Sequence, residues 1–227
     1  MDYSTKATSL GQKIFVLAIE IALLYLSYWV LFLNGSNSIY AYFGKELGNI
    51  NDTRKILIFT FSLIVFVRMG FMMFYLLKRK LPWSETFTLI LPFALYYVGY
   101  ALLTVSSKPF GWFDYFGIAV FILGSLLNTA SELQRHFWKQ KSENKGKLYT
   151  EGLFKYSMHI NFFGDLVWVT AYAIISNNIY SIIIPILLFC LFAFFNIPEL
   201  DKYLAEKYKA EFSEYAHKTK KFIPFVY

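Results

Sequence analysis

Runs of about 20 predominantly apolar residues recur along the whole chain, and each is long enough to cross a roughly 30 Å hydrocarbon core as a helix. Inside lipid every backbone N–H and C=O must find its partner within the protein, so such runs are read as helices rather than loops or lone strands. They fall at residues 14–33, 56–77, 87–105, about 112–130 and 179–195, and a further helix at 152–175 enters the apolar phase near Phe162. Only 16% of the 227 residues are charged, where a soluble domain carries about a quarter. The pattern predicts an all-α, polytopic membrane helical bundle of about six transmembrane helices. The length suits a single membrane domain over residues 1–227, with amino-terminal helices in 1–119 and a second half in 120–227.

The connections are short and polar. Residues 34–55 open on Asn-Gly-Ser-Asn-Ser and leave room for an interfacial helix near 39–43. Lys78-Arg79-Lys80 closes the second span, and Pro92 predicts a kink in the third that neighbouring helices accommodate. Asn177-Asn178 makes a minimal turn before the last span, after which Pro198 starts an amphipathic helix with Leu200, Tyr203, Leu204 and Tyr208 on one side. The first apolar run lacks a small-residue cleavage pattern and is expected to stay as an anchor. The single cysteine, Cys190, lies in an apolar run and reads as packing.

Basic residues give the chain a direction. Of the Lys and Arg outside the spans, 17 fall on one side and 4 on the other. Positive charge is retained on the cytoplasmic side, so both termini and the loop after the fourth span are expected in the cytosol. The formal charge of +7 therefore records orientation and not nucleic-acid binding.

One stretch, residues 124–168, mixes amides, acids, bases and aromatics at helical spacing. Asn128, Ser131, Glu132 and Arg135 fall at i, i+3, i+4 and i+7, and Asn161, Asp165 and Trp168 at i, i+4 and i+7. Polar groups leading into apolar helices are costly, which makes this stretch the candidate site. The residue types also suit a polar seam between helices, or a plain Glu132–Arg135 pair. Arg135, Lys139, Lys141, Lys145 and Lys147 suit an anionic ligand or, equally, anionic lipid headgroups. Two charges sit near mid-span, Glu20 and Arg68. They read either as a proton donor or substrate anchor, or as a structural pair facing each other across the bundle. Tyr75, Tyr96, Tyr97 and Tyr100 offer phenols for proton donation, Tyr97 among the candidates for a catalytic role. Glycine-rich phosphate loops, the G-x-S-x-G element and zinc spacings are missing from the sequence, and three histidines are too scattered for a di-iron site, so no metal is expected.

The run Gly124-x-x-x-Asn128-x-x-Ser131-Glu132, then Gly152-Leu153-Phe154-x-Tyr156-Ser157, then Asn161-Phe162-Phe163-Gly164-Asp165, resembles the carboxy-terminal half of the steroid 5α-reductase family. It is most similar to the bacterial DUF1295 proteins, through S-M-H-I-N-F-F-G-D and the ending K-K-F-I-P-F-V-Y. Sterol reductases and isoprenylcysteine carboxyl methyltransferases belong to the same wider group. The resemblance spans about residues 120–227 and implies that this half binds a cofactor while residues 1–119 face the substrate. It implies NADPH held by Asn128, Ser131, Glu132, Arg135, Lys147, Tyr156, His159, Asn161, Asp165, Asp201 and Tyr208. There are departures: Met158 and Ile160 stand where methyltransferases and many sterol reductases carry Arg and Pro around the histidine. The Glu and Tyr that polarise the enone in steroid enzymes have no aligned counterpart in the first half. The expectation is a membrane-embedded, NADPH-dependent reductase of a conjugated C=C bond in a lipophilic substrate arriving from the bilayer. The alternatives are an S-adenosylmethionine-dependent methyltransferase and a non-catalytic membrane ligand-binding protein.

Overall fold

The computed structural model describes residues 7–227, so Lys6 and the rest of the extreme amino terminus lie outside the described residues. Eight helices carry the described chain: α1 Leu10–Phe32, α2 Gly35–Tyr42, α3 Asp52–Leu76, α4 Trp83–Leu103, α5 Trp112–Gln140, α6 Ile160–Ser176, α7 Ile179–Tyr208 and α8 Ala210–Lys218. Among the described residues there is no strand, and the protein is an integral, multi-pass helical membrane bundle. Five helices, α1, α3, α4, α5 and α7, are long and apolar enough to span. The expected sixth, α6, has 17 residues and falls short of them.

Its shortness has a cause. A helix from residue 152 is expected from the sequence, yet 152–155 form only a 3₁₀ turn and α6 starts at Ile160. Between them the chain pairs with the carboxy-terminal tail: Met158 N donates to Lys220 O (2.8 Å) and His159 N to Lys221 O (3.1 Å), and the Ser157 hydroxyl donates to Phe222 O (2.7 Å). Those donors are taken, so the helix cannot extend backwards. The interfacial helix also differs slightly, running from Gly35 to Tyr42. The helix expected to begin at Pro198 is instead continuous with the last span through a π-type turn at Phe192–Asn196, and Pro198 occupies its tolerated place in a first turn. Lys209, with φ +48°, separates α7 from α8.

The chain forms two compact units, residues 1–121 with 169–184 and residues 122–168 with 185–227. In the first, α1 packs on α3 and α4. Phe61 stacks on Phe121 at 3.8 Å, both meet Tyr172 edge-on, and Tyr172 stacks on Tyr100. Such aromatic pairs add about 0.5–1.5 kcal/mol each beyond area burial. Pro92 does disturb α4: a turn at Leu89 precedes it, and a π-type turn at Leu95–Gly99 follows. Arg54 and Asp114 form a fully buried ion pair, with Arg54 also donating to the carbonyls of Lys108, Pro109 and Ile175. Sequence reading passes over this pair, because both residues sit in first helical turns beside loops.

In the second unit α5 and α6 cross in backbone contact. A Cβ on Gly124 would lie 2.8 Å from Gly164 O and nearer still to Trp168 N, and one on Gly164 would lie 2.5 Å from Asn128 N. Only glycine lets two helices approach so closely, as at small-residue crossings in membranes. Phe222, fully buried, packs against Phe163, Phe189 and Phe192 and anchors the tail to this unit.

Candidate functional site

The glycine crossing brings the two polar runs face to face. Asn128 is buried and its Nδ2 donates to Asn161 O (3.1 Å), while Ser131, wholly buried, donates to Asn128 O (2.9 Å). The Asn128 side chain thus ties α5 to α6, while Ser131 is satisfied within its own helix. One turn further along α5, Glu132 Oε1 accepts from Asn161 Nδ2 (2.9 Å) and Oε2 pairs with Arg135. Arg135 lies over the Phe154 ring at 5.6 Å. The result is a chain of amide, carboxylate and guanidinium leading from the buried crossing towards solvent. Asp165 Oδ1 accepts from Trp168 Nε1 (2.8 Å), which fixes the carboxylate one turn along α6 from Asn161.

A second group sits where the chain before α6 meets the tail. His159, almost fully buried, bonds through Nε2 to Asp201 Oδ1 (2.7 Å), and Lys221 Nζ lies 3.2 Å from Asp201 Oδ2. His159 also stacks on Phe162. Tyr208 packs with Leu204 and Phe212 around Leu148, Met158 and Tyr215, with Lys207 Nζ 5.3 Å from its ring centre. Met158 is part of the same cluster and offers no charge to a ligand.

Local sequence explains the frame. Gly152 has φ +58°, and a Cβ there would collide with Gln134 Oε1, the atom that accepts from Leu153 N. Only glycine suits both demands. Tyr215 donates to Phe154 O at 2.6 Å, holding the ring beneath Arg135. Burial, then the neighbouring Tyr149, pushes the Tyr215 phenol above its usual range, so it stays a donor at all physiological pH values.

Two candidates stay apart from these groups. Lys147 is exposed on the loop, and among the described residues no ion pair or hydrogen bond ties its side chain to the others. Tyr156 is exposed and meets Phe225 edge-on. In the first unit, Glu20 and Arg68 do not form the expected pair. Glu20 instead accepts from Tyr97 OH at 2.9 Å, both residues being fully buried, while Arg68 lies half-buried on α3. A pairing 77 positions apart has no signature in the local sequence. Tyr100 donates to Val169 O (2.8 Å), and Tyr75 stacks on Phe71 at the surface.

Fold and site together define a helical integral membrane protein with a polar seam at a glycine-mediated helix crossing. A family model described as "Protein of unknown function (DUF1295)" matches residues 83–219, more than half of the chain, and the chain belongs to that family. It is similar to Protein-S-isoprenylcysteine O-methyltransferase B of Arabidopsis thaliana, 29% identical over 138 residues that cover 58% of this chain and 70% of the relative. A Probable protein-S-isoprenylcysteine O-methyltransferase of Oryza sativa subsp. indica is 26% identical over 149 residues, 63% of this chain and 78% of the relative. The Protein-S-isoprenylcysteine O-methyltransferase of Saccharomyces cerevisiae is 32% identical over 102 residues, 44% and 42% of the two chains. These likenesses support a membrane enzyme of this family; they do not extend to an NADPH-linked oxidoreductase.

Proposed function

We propose that this protein is an S-adenosylmethionine-dependent O-methyltransferase acting on a lipophilic acceptor, isoprenylcysteine being the acceptor named for its relatives. The observation that carries the reading is its likeness to these named methyltransferases over more than half of the chain. The residues present fit the cofactor. Glu132 and Asp165 are partly accessible carboxylates, and each oxygen accepts more than one hydrogen bond, as ribose hydroxyls and an ammonium group require. Asn161 adds an amide, and Arg135 is the cation for the cofactor's carboxylate. When bound, the cofactor supplies an electrophilic methyl group on a sulfonium. The chain's own part is to orient and to exclude water. The Gly124–Gly164 contact holds Glu132 against Asn161, and the His159–Asp201 pair holds the start of α6 to α7. Lys and Arg counts put this site on the cytosolic side, where a soluble cofactor is available.

A second reading is the NADPH-dependent reductase. It is favoured by Asn161 and Asp165, the pair of the reductase element, which stand one turn apart with Asn161 bonded to Glu132. Thermal unfolding of the detergent-solubilised protein separates the two. S-adenosylmethionine at about 100 times its Kd is expected to stabilise by about 2.7 kcal/mol, with NADPH inert. Stabilisation by NADPH alone transfers the assignment to the reductase, and stabilisation by neither leaves a ligand-binding membrane protein. Asn161→Ala and Asp165→Ala are each expected to weaken cofactor binding about tenfold, the loss of one hydrogen bond to a charged or strongly polar partner. Unchanged affinity in both variants rejects the seam as the cofactor site.

A further inference from the structure

A cleft of about 510 Å³ opens between α7, α8 and the carboxy-terminal tail, separate from the α5–α6 seam and all within the second unit. Its floor is apolar, with Met158, Phe212 and Ala216, and its rim carries Lys202, Lys220 and Lys221. The acid beside them, Asp201, is already engaged: His159 holds one oxygen and Lys221 approaches the other. Lys202 and Lys220 are exposed, and among the described residues neither side chain forms an ion pair. The cleft thus carries three lysines against the one acid side chain, beside an apolar floor.

Its depth in the bilayer follows from α7. That helix has 30 residues, about 45 Å at 1.5 Å per residue, so about a third of it must project beyond a roughly 30 Å core. The polar end is Ile197–Tyr208, which begins directly after the apolar π-type turn. Asp201 and Lys202 come five and six residues after Asn196, about 7.5–9 Å along the axis, at the outer edge of a headgroup layer about 5–7.5 Å deep.

We infer that this cleft binds an anionic phospholipid of the surrounding bilayer, its phosphate on Lys202 and Lys220 and its glycerol and upper acyl region on the Met158–Phe212–Ala216 floor. A free phosphate satisfies the lysines alone and leaves the floor wet. The cleft shares Asp201 and Lys221 with the His159 group, so its occupancy is felt at the start of α6.

The test uses the full chain in a neutral detergent, with dihexanoylphosphatidylglycerol, dihexanoylphosphatidylcholine and inorganic phosphate as probes, binding being read by thermophoresis. The phosphatidylglycerol is expected to bind at least tenfold tighter than either of the others. Lys202→Gln with Lys220→Gln removes that preference, while Lys202→Arg with Lys220→Arg keeps it, and both variants retain the parent melting temperature. Equal binding of the phosphatidylcholine, or a preference that survives the glutamine variant, overturns the proposal. Inorganic phosphate binding as tightly as the lipid also overturns it, leaving a plain anion site. Competition by S-adenosylmethionine does so too, by assigning the cleft to the cofactor. None of these outcomes depends on methyl transfer, so the inference and the proposed activity fail separately.

Discussion

Arg54→Ala is expected to cost about 3–5 kcal/mol of stability, measured as the free energy of unfolding in mixed micelles, because it strands the buried Asp114 carboxylate. The guanidinium is 1% exposed and Asp114 2%. Its Nη2 lies 2.8 Å from Asp114 Oδ2, and Nη1 lies 2.8 Å from Ile175 O. Removing the arginine therefore abandons a charge and several carbonyl oxygens at once. A paired replacement, Arg54→Met with Asp114→Leu, removes both charges together and is expected to recover most of the loss, since a buried pair contributes little beyond its own desolvation. If Arg54→Ala melts within a degree of the parent, the pair is not buried in the folded protein. If the double variant is as unstable as the single one, the carbonyl contacts and not the ion pair hold the structure.

Gly124→Ala is expected to separate α5 from α6, lowering stability by about 1–3 kcal/mol and weakening cofactor binding more than tenfold. The added methyl meets backbone atoms, Gly164 O at 2.8 Å and Trp168 N closer still, and backbone cannot rotate away. A shift of even a few tenths of an ångström strains the Asn128–Asn161 bond (3.1 Å) and the Asn161–Glu132 bond (2.9 Å) together. Gly70→Ala on α3 is the control: nothing lies within 4 Å of its Cβ, and replacing an interior helix glycine by alanine stabilises by about 0.5–1 kcal/mol. Equal behaviour of the two variants would mean that the crossing is loose and does not organise the polar runs.

The seam is partly legible in the sequence. Asn128, Ser131, Glu132 and Arg135 share a face because helical periodicity alone puts them there. The division of labour among them was not legible. Asn128 is engaged across the crossing, Ser131 is satisfied on its own helix, and Glu132 is held by Asn161, 29 positions away. The same holds for His159, whose partner Asp201 lies 42 positions further on, and for Glu20, whose partner is Tyr97 and not Arg68. Arg54 reads from the sequence as a loop charge, though a signal is there: an arginine and an aspartate stand in the first turns of α3 and α5. Tyr156 is a candidate only through the resemblance and Lys147 through the basic cluster as well; both are exposed, Tyr156 against Phe225.

Length and apolarity of the runs determined by themselves that this is a helical membrane protein, because a chain in lipid has no other way to satisfy its backbone over 20 residues. Local periodicity also determined which polar residues share a helix face. Only the tertiary structure decided where α6 begins, which acid meets which donor, and that an apolar-floored basic cleft lies beside the tail. Those outcomes depend on backbone contacts between segments far apart in the chain, such as Met158 with Lys220 and Gly124 with Gly164. Hydrophobic pattern and helical spacing carry no information about which distant segments will touch.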